Sequence, residues 1–185
     1  MTELLRRVYS EQGQSPWLDN LQRGYLTSGA LADLVKSGVR GLTSNPTIFQ
    51  KAIQGSNDYD SQFAEELAKG TTPLDAYWEM VISDINGAAD VFQGLYESSN
   101  GGDGFVSVEV DPRLAHDGSG TLSAARRLHE AVNRSNVMIK IPATQEGVPA
   151  IREMIAEGRN VNVTLIFSLS RYQDVMNAYI DGIEQ

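Results

Sequence analysis

Polar side chains interrupt several short apolar segments of this 185-residue sequence. Glu109 lies within VSVEV, Lys140 within VMIKIP and Thr164 within NVTLIFS. A lysine in an apolar strand is desolvated, which favours the neutral amine, and a neutral amine can attack a carbonyl group to form a Schiff base. A carboxylate can then shuttle protons, and hydroxyl or amide groups can hold a polyol. These residue types therefore predict covalent chemistry on a carbonyl substrate.

Four further polar residues complete the set of candidates. Asp19 lies near the end of a weaker apolar segment, Thr43 and Asn45 share one face of GLTSNP, and Asn162 shares a face with Thr164. An ionisable group on a strand that is covered on both faces costs several kcal/mol unless it is paired or neutralised. Five strands that each carry a polar group near the C-terminal end favour one shared active site over five separate structural explanations.

Each candidate also has a purely structural interpretation. Lys140 and Glu109 could form an ion pair with no further role, and Asn45 before Pro46 could mark a turn. A threonine in a strand could be there as a good strand former.

The elements that must position these groups are strands alternating with helices, which predicts an α/β fold with a parallel sheet. The predicted strands are Trp17 to Leu21 (the weakest), Gly41 to Ser44, Phe105 to Val110, Val137 to Ile141 and Val161 to Phe167. The predicted helices are Ser28 to Ser37, Asp58 to Lys69, one or two from Thr72 to about Tyr96, Ser119 to Asn133, Glu146 to Ala156 and Ser168 to Glu184. Ser98 to Gly104 is predicted to be an exposed loop.

Two architectures fit this alternation: an open doubly wound sheet and a (β/α)8 TIM barrel. No Gly-rich turn follows the first strand, which argues against a dinucleotide-binding sheet. A barrel gathers catalytic residues from the C-terminal ends of several strands, as the polar positions require.

Composition narrows the class further. The 15 basic and 24 acidic residues give a net charge of −9, which argues against partners that need a basic face, namely nucleic acid and anionic membranes. There is no cysteine, so a thiolate metal site and a Cys nucleophile are excluded, and a reducing, cytoplasmic location is expected. No run approaches the ~18 apolar residues of a membrane span.

At these residues the sequence resembles the transaldolase family. GLTSNPTIF (Gly41 to Phe49) resembles its Thr-Ser-Asn-Pro signature, and VMIKIPATQEGVPAI (Val137 to Ile151) resembles its Schiff-base lysine signature. The segments Phe105 to Asp117 and Asn160 to Ser168 resemble its third and fifth strands. Ser15 to Arg23 resembles the first strand of the longer bacterial subfamily.

The resemblance implies a role for each candidate. Lys140 matches the lysine that forms the Schiff base, and Asp19 matches the carboxylate that takes the proton of the donor's C4 hydroxyl and returns it to the acceptor. Glu109 matches the carboxylate that activates a water, which Thr164 holds. Substrate contacts are implied for Asn45 and, as its neighbours, Thr43 and Asn162.

The implied reaction moves a dihydroxyacetone unit from sedoheptulose 7-phosphate to glyceraldehyde 3-phosphate, in the pentose phosphate pathway. The implied partners are sugar-phosphate substrates, and neither a metal nor an organic cofactor is implied. A fructose-6-phosphate aldolase-like lyase, which would use the same lysine, is the alternative within this chemistry.

The length predicts that residues 1–185 form a single partial barrel domain with about five β/α units. A (β/α)8 barrel needs about 200 to 250 residues, so strands 6–8 and the Ser and Arg residues that the family uses for phosphate are expected to be absent. Such a chain would be inactive alone, or would be a non-catalytic partial barrel. Its open strand edges would favour self-association or pairing with the missing C-terminal part.

Overall fold

Short parallel strands alternate with helices in a computed structural model that describes residues 2–185. The chain divides into two compact units: unit 1 ends at Val106, and unit 2 comprises Ser107–Gln185. The elements of unit 1 before the third strand are α1 Thr2–Gln12, β1 Trp17–Asp19, α2 Arg23–Thr27, α3 Ala30–Ser37, β2 Gly41–Thr43, α4 Pro46–Gly55, α5 Asp60–Ala68 and α6 Pro73–Ser98.

Strands β1 and β2 pair in parallel, with Asp19 opposite Thr43. Glycine is required at the start of β2, because a Cβ atom on Gly41 would lie 2.3 Å from a ring atom of Trp17. The core of unit 1 forms from buried side chains of β2, of helices α3, α4 and α6 and of the segment after β1, among them Leu21, Leu31, Leu42, Phe49, Ile85 and Phe92.

Strand β3, Phe105–Glu109, begins in unit 1 and continues into unit 2. The later elements are a short 3-10 helix Pro112–Leu114, α7 Gly118–Val132, β4 Val137–Pro142, α8 Gly147–Ala156, β5 Val161–Thr164 and α9 Leu169–Glu184. Strands β4 and β5 are parallel, with Lys140 opposite Asn162. Burial alternates along β4: Ile139 and Ile141 are fully buried, whereas Lys140 on the other face keeps some exposure.

The five strands follow one another in the sheet in their chain order, β1-β2-β3-β4-β5. A doubly wound sheet would reverse the order at a switch point, and these strands contain no reversal. Each strand is followed by at least one helix. The predicted α/β class is therefore confirmed, and the order is that of five successive β/α units of a (β/α) barrel.

Two expectations from the sequence were wrong. The fifth strand was expected to reach Phe167 but ends at Thr164, because Leu165 adopts a left-handed backbone conformation with φ of 63° and cannot continue the ladder. The loop before β3 was expected to be exposed, but Asp103 within it is buried.

The helix start predicted at Thr72 is confirmed. The segment after Thr72 is one helix of 26 residues, and the Thr72 side chain caps it by accepting a hydrogen bond from the backbone N–H of Asp75. Three helices of the structure were not predicted: α1, α2 and α4. None of the helices in residues 2–185 combines the length and apolar composition that crossing a bilayer requires.

Candidate active site

Lys140 and Glu109 form the centre of the candidate site in unit 2. Their side chains are 13% and 15% exposed, and the Lys140 Nζ atom lies 3.3 Å from the Glu109 carboxylate. The predicted pairing of these two residues therefore occurs. The two groups are close enough to exchange a proton directly or through one water.

The parallel strands place three polar side chains at one level. The backbone N–H of Val110 donates to the carbonyl of Lys140 at 3.1 Å, which sets Glu109 beside Lys140, and Asn162 lies opposite Lys140 on the other side. Asn162 donates through Nδ2 to the hydroxyl oxygen of Ser107 at 3.3 Å. Ser107 is fully buried and was not predicted as a site residue, although strand alternation places it on the same face as Glu109.

Thr164 lies two residues further along β5. Thr164 lies opposite Pro142 in the register of β4 and β5. Its carbonyl accepts a hydrogen bond of 2.8 Å from the backbone N–H of Ala143. The strand ends of β4 and β5 are thereby joined directly beyond Lys140. This bond fixes the backbone of Thr164 at the C-terminal edge, where barrel enzymes place catalytic groups.

The loop after β4 is held by Thr144, which was not predicted as a site residue. Its hydroxyl donates to the carbonyl of Ala115 at 2.6 Å and accepts from the backbone N–H of Gly147 at 2.9 Å. A Cβ atom on Gly147 would lie 2.1 Å from the carbonyl oxygen of Pro142, so only glycine allows this close turn. The Thr and Gly of the lysine signature therefore hold the loops that follow β3 and β4.

Charged groups beyond β3 are engaged locally. Asp111 accepts hydrogen bonds from Arg113, and these bonds lower the pKa of the Asp111 carboxyl below its ordinary value. Asp117 caps α7 by accepting from the backbone N–H of Gly120 at 2.9 Å, which likewise lowers its pKa. Both carboxylates therefore have structural partners.

In unit 1, Asp19 is exposed at the end of β1, beside Thr43 in the strand register. Within residues 2–185, no hydrogen bond or ion pair holds the Asp19 carboxylate, so its position depends on its backbone. Thr43 is partly buried at the end of β2. These two predicted residues are neighbours at the C-terminal edge of their strands.

Asn45, predicted to contact substrate, has a structural function in this fold. It is the N-cap of α4, and its Oδ1 accepts a hydrogen bond of 2.9 Å from the backbone N–H of Ile48, with Pro46 at the first helical position. The cap uses the carbonyl oxygen, which leaves the amide nitrogen of Asn45 available to donate to a ligand.

In the part of the chain that the structure describes, no three His, Asp or Glu side chains are grouped to hold a metal ion.

Comparison with known proteins identifies a family for this chain. Residues 16–184 match the profile of the Transaldolase/Fructose-6-phosphate aldolase family. The chain belongs to that family. It is 54% identical over 177 residues to Transaldolase of Saccharopolyspora erythraea, a match that covers 95% of this chain and 48% of that protein.

Two further relatives give the same result. Transaldolase 1 of Streptomyces coelicolor is 51% identical over 177 residues, with 95% of this chain and 46% of that protein covered. Transaldolase 2 of Nostoc punctiforme is 46% identical over 176 residues, with 95% and 46% covered. The chain thus spans about half the length of the curated relatives it matches. The resemblance drawn from the Thr-Ser-Asn-Pro and lysine segments is confirmed.

Proposed function

We propose that the gene product carrying these residues is a transaldolase that acts through a Schiff base on Lys140. The observation that carries the proposal is the Lys140–Glu109 pair, 3.3 Å apart at the ends of adjacent strands, in a chain about half identical to proteins named transaldolase. The donor is sedoheptulose 7-phosphate and the acceptor is glyceraldehyde 3-phosphate. The products are erythrose 4-phosphate and fructose 6-phosphate, within the pentose phosphate pathway.

The proposed chemistry begins at the amine. Lys140 Nζ attacks the donor's carbonyl carbon, and the carbinolamine loses water to give an imine. Glu109, through a water that Thr164 holds, moves the protons of these steps. The short distance between Glu109 and Lys140 supports this role, because a group that transfers protons must lie within one water of its partner.

The carbon–carbon bond then breaks. Asp19 takes the proton of the C4 hydroxyl, the bonding electrons move into the imine to form an enamine, and the aldehyde product leaves. The enamine attacks the acceptor aldehyde, Asp19 returns the proton, and water releases the new ketose. In this scheme Asn45, Thr43 and Asn162 donate or accept hydrogen bonds with the hydroxyls of the sugar.

Borohydride trapping tests the proposal. The complete gene product is incubated with fructose 6-phosphate and sodium borohydride, which reduces an imine to a stable secondary amine. We expect a mass increase on the peptide that contains Lys140, its loss in Lys140→Met, and its retention in Lys69→Met, since Lys69 is an exposed lysine directly after α5 that pairs with Glu66. Unchanged transfer activity in Lys140→Met would refute the proposal.

The family also contains fructose-6-phosphate aldolases. Such an aldolase would use the same Lys140 but release free dihydroxyacetone without an acceptor. The relatives named above, which all carry transaldolase names, favour transfer. Release of dihydroxyacetone at the rate of donor consumption, with no acceptor present, would instead favour the lyase.

Exposed apolar side chains support an association partner for unit 2. Phe167 and Leu169 are 86% and 88% exposed, and the apolar residues Tyr172, Tyr179 and Ile183 of α9 are also exposed. We propose that residues 1–185, produced alone, self-associate or pair with a segment equivalent to the other half of the relatives. A single species of 20.2 kDa by light scattering would refute this. The proposed compartment is the cytoplasm, in line with a sequence that has no cysteine.

A further inference from the structure

A buried polar network in unit 1 is centred on Arg23, four residues after Asp19. The Arg23 guanidinium donates to the carboxylate of Asp84 at 2.8 Å and to the side chain of Gln62 at 2.7 Å. Asp84 is 1% exposed and also accepts a hydrogen bond of 2.8 Å from the Tyr59 hydroxyl. The Arg23 side chain therefore connects α2 with α5 and α6. Tyr59, the residue before α5, joins the network through Asp84.

Arg23 is fixed through its backbone as well. Its N–H donates to the Tyr59 hydroxyl oxygen at 3.0 Å, and its guanidinium lies over the Tyr59 ring, 4.5 Å from the ring centroid. Tyr59 is itself buried. Both the main chain and the side chain of Arg23 thus converge on the same two buried partners, Tyr59 and Asp84. Such double attachment defines the position of a chain segment as well as that of a side chain.

The segment between Asp19 and Arg23 is short and constrained. Leu21 is fully buried, and Asn20 donates through Nδ2 to the hydroxyl oxygen of Tyr25 at 3.2 Å. Since the Asp19 carboxylate has no partner within residues 2–185, its placement is set by the backbone on either side. Strand pairing with β2 holds one side, and the Arg23 attachment holds the other.

We propose that Arg23 is a positioning residue for Asp19. Through the backbone of residues 19–23, the buried contacts of Arg23 with Asp84 and Tyr59 hold the Asp19 carboxylate where it exchanges a proton with the donor's C4 hydroxyl. The proposal rests on the proposed function. A misplacement of about 1 Å can cost on the order of 10²-fold in rate, so this attachment controls turnover without touching substrate.

A matched ion pair in the same unit separates positioning from stability. The Arg40 Nε atom lies 2.7 Å from the Asp103 carboxylate. The Asp103 side chain is 6% exposed, so this pair is buried to a similar degree as Arg23–Asp84. Asp103 also accepts a hydrogen bond from Ser15, and Arg40 lies over the ring of Tyr9. Because Arg40 directly precedes β2, this pair lies at the N-terminal ends of the strands, away from the end of β1 that carries Asp19.

The experiment compares Arg23→Gln with Arg40→Gln in the complete gene product. Measured are kcat, KM for the donor, melting temperature and borohydride trapping with fructose 6-phosphate. For Arg23→Gln we expect kcat to fall by about 10- to 100-fold while KM changes by less than about threefold. Trapping persists, because imine formation uses Lys140 and Glu109 rather than Asp19. Arg40→Gln is expected to lower the melting temperature by about as much as Arg23→Gln does. Its kcat is expected to stay within about threefold of the parent value.

Conservative variants keep the test decisive. Arg23→Lys retains one charged donor for Asp84 and is expected to recover part of the lost kcat. If Arg23→Gln does not fold, Asp84→Asn serves in its place, since it keeps the shape and a hydrogen-bond acceptor but removes the charge.

Different results would refute the positioning role of Arg23 and the proposed function. A kcat that falls equally in Arg23→Gln and Arg40→Gln, or a loss of trapping in parallel with kcat, would overturn the positioning role. A parent protein with neither trapping nor transfer would instead refute the proposed function, and with it any role for Asp19.

Discussion

The geometry of the Lys140–Glu109 pair predicts how strongly the two side chains stabilise unit 2. At a separation of 3.3 Å, the Coulomb attraction is about 5 kcal/mol for an effective dielectric constant of about 20. Removing two ions from water costs several kcal/mol per ion, which cancels most of that attraction. Hydrogen bonds between charged groups contribute about 1.5 to 3 kcal/mol net, so we predict a coupling free energy of about 2 kcal/mol between the two side chains.

A double-mutant cycle measures this coupling. Lys140→Met and Glu109→Gln are each expected to lower the free energy of unfolding by about 2 to 3 kcal/mol, because each leaves one charge with its partner removed. The double variant is expected to be no less stable than the worse single variant.

Far-UV circular dichroism in urea is the suitable assay, because both tryptophans, Trp17 and Trp78, lie in unit 1 and do not report directly on unit 2. The Lys36–Asp33 pair, whose side chains are 75% and 77% exposed, is the control and should show a smaller coupling, since solvent screens it. A coupling below about 0.5 kcal/mol for Lys140 and Glu109 would refute the reasoning. It would mean that the two groups do not interact in solution as the geometry requires.

Three further predictions concern groups around the site. Asn45→Ala should lower the stability of unit 1 by about 1 kcal/mol through loss of the α4 cap, whereas Asn45→Asp keeps it, as tryptophan fluorescence in urea would show. Gly147→Ala should destabilise unit 2 by about 1 to 3 kcal/mol, measured by circular dichroism, because its Cβ would meet the carbonyl oxygen of Pro142. The lowered pKa of Asp111 stabilises the folded state above the ordinary value of 3.8, and this contribution is lost as pH falls through the folded value. When the free energy of unfolding is measured at decreasing pH, Asp111→Asn should therefore lose less of it below pH 3.8 than the parent does.

Local signals account for the parts of the fold that could be predicted. The cap and proline at Thr72 and Pro73 predicted a helix start, and the alternation of apolar residues around Lys140 predicted a strand. The same capping signal was present at Asn45 and Pro46 but was interpreted as a turn with a ligand-binding residue, so α4 was missed. A helix N-cap and a substrate contact use the same residue type, and only the structure shows which atom of Asn45 is engaged.

The parts that could not be predicted depend on distant or weak interactions. Helix α2 has five residues and no side-chain cap, so neither its pattern nor its ends stand out in the sequence. The end of β5 depends on the backbone of Leu165, and leucine gives no sign of a left-handed conformation. Asp84 lies in the middle of α6, and its partner Arg23 is 61 residues earlier. Spacing cannot reveal such a pair, because helix periodicity gives the face of Asp84 but not what covers it.

The Arg23–Asp84 and Lys140–Glu109 pairs differ in a way that fits their proposed roles. Arginine stays protonated at all relevant pH values and presents several donors in a rigid plane, so Arg23 can satisfy Asp84 and Gln62 together and hold a chain segment. A lysine can lose its proton, which an attacking amine must do, and it has a single terminal nitrogen on a flexible chain. An arginine at position 140 would keep an ion pair with Glu109 but could not form an imine. Lys140→Arg should therefore preserve the fold while abolishing borohydride trapping, and an adduct at position 140 in that variant would contradict the covalent role of this position.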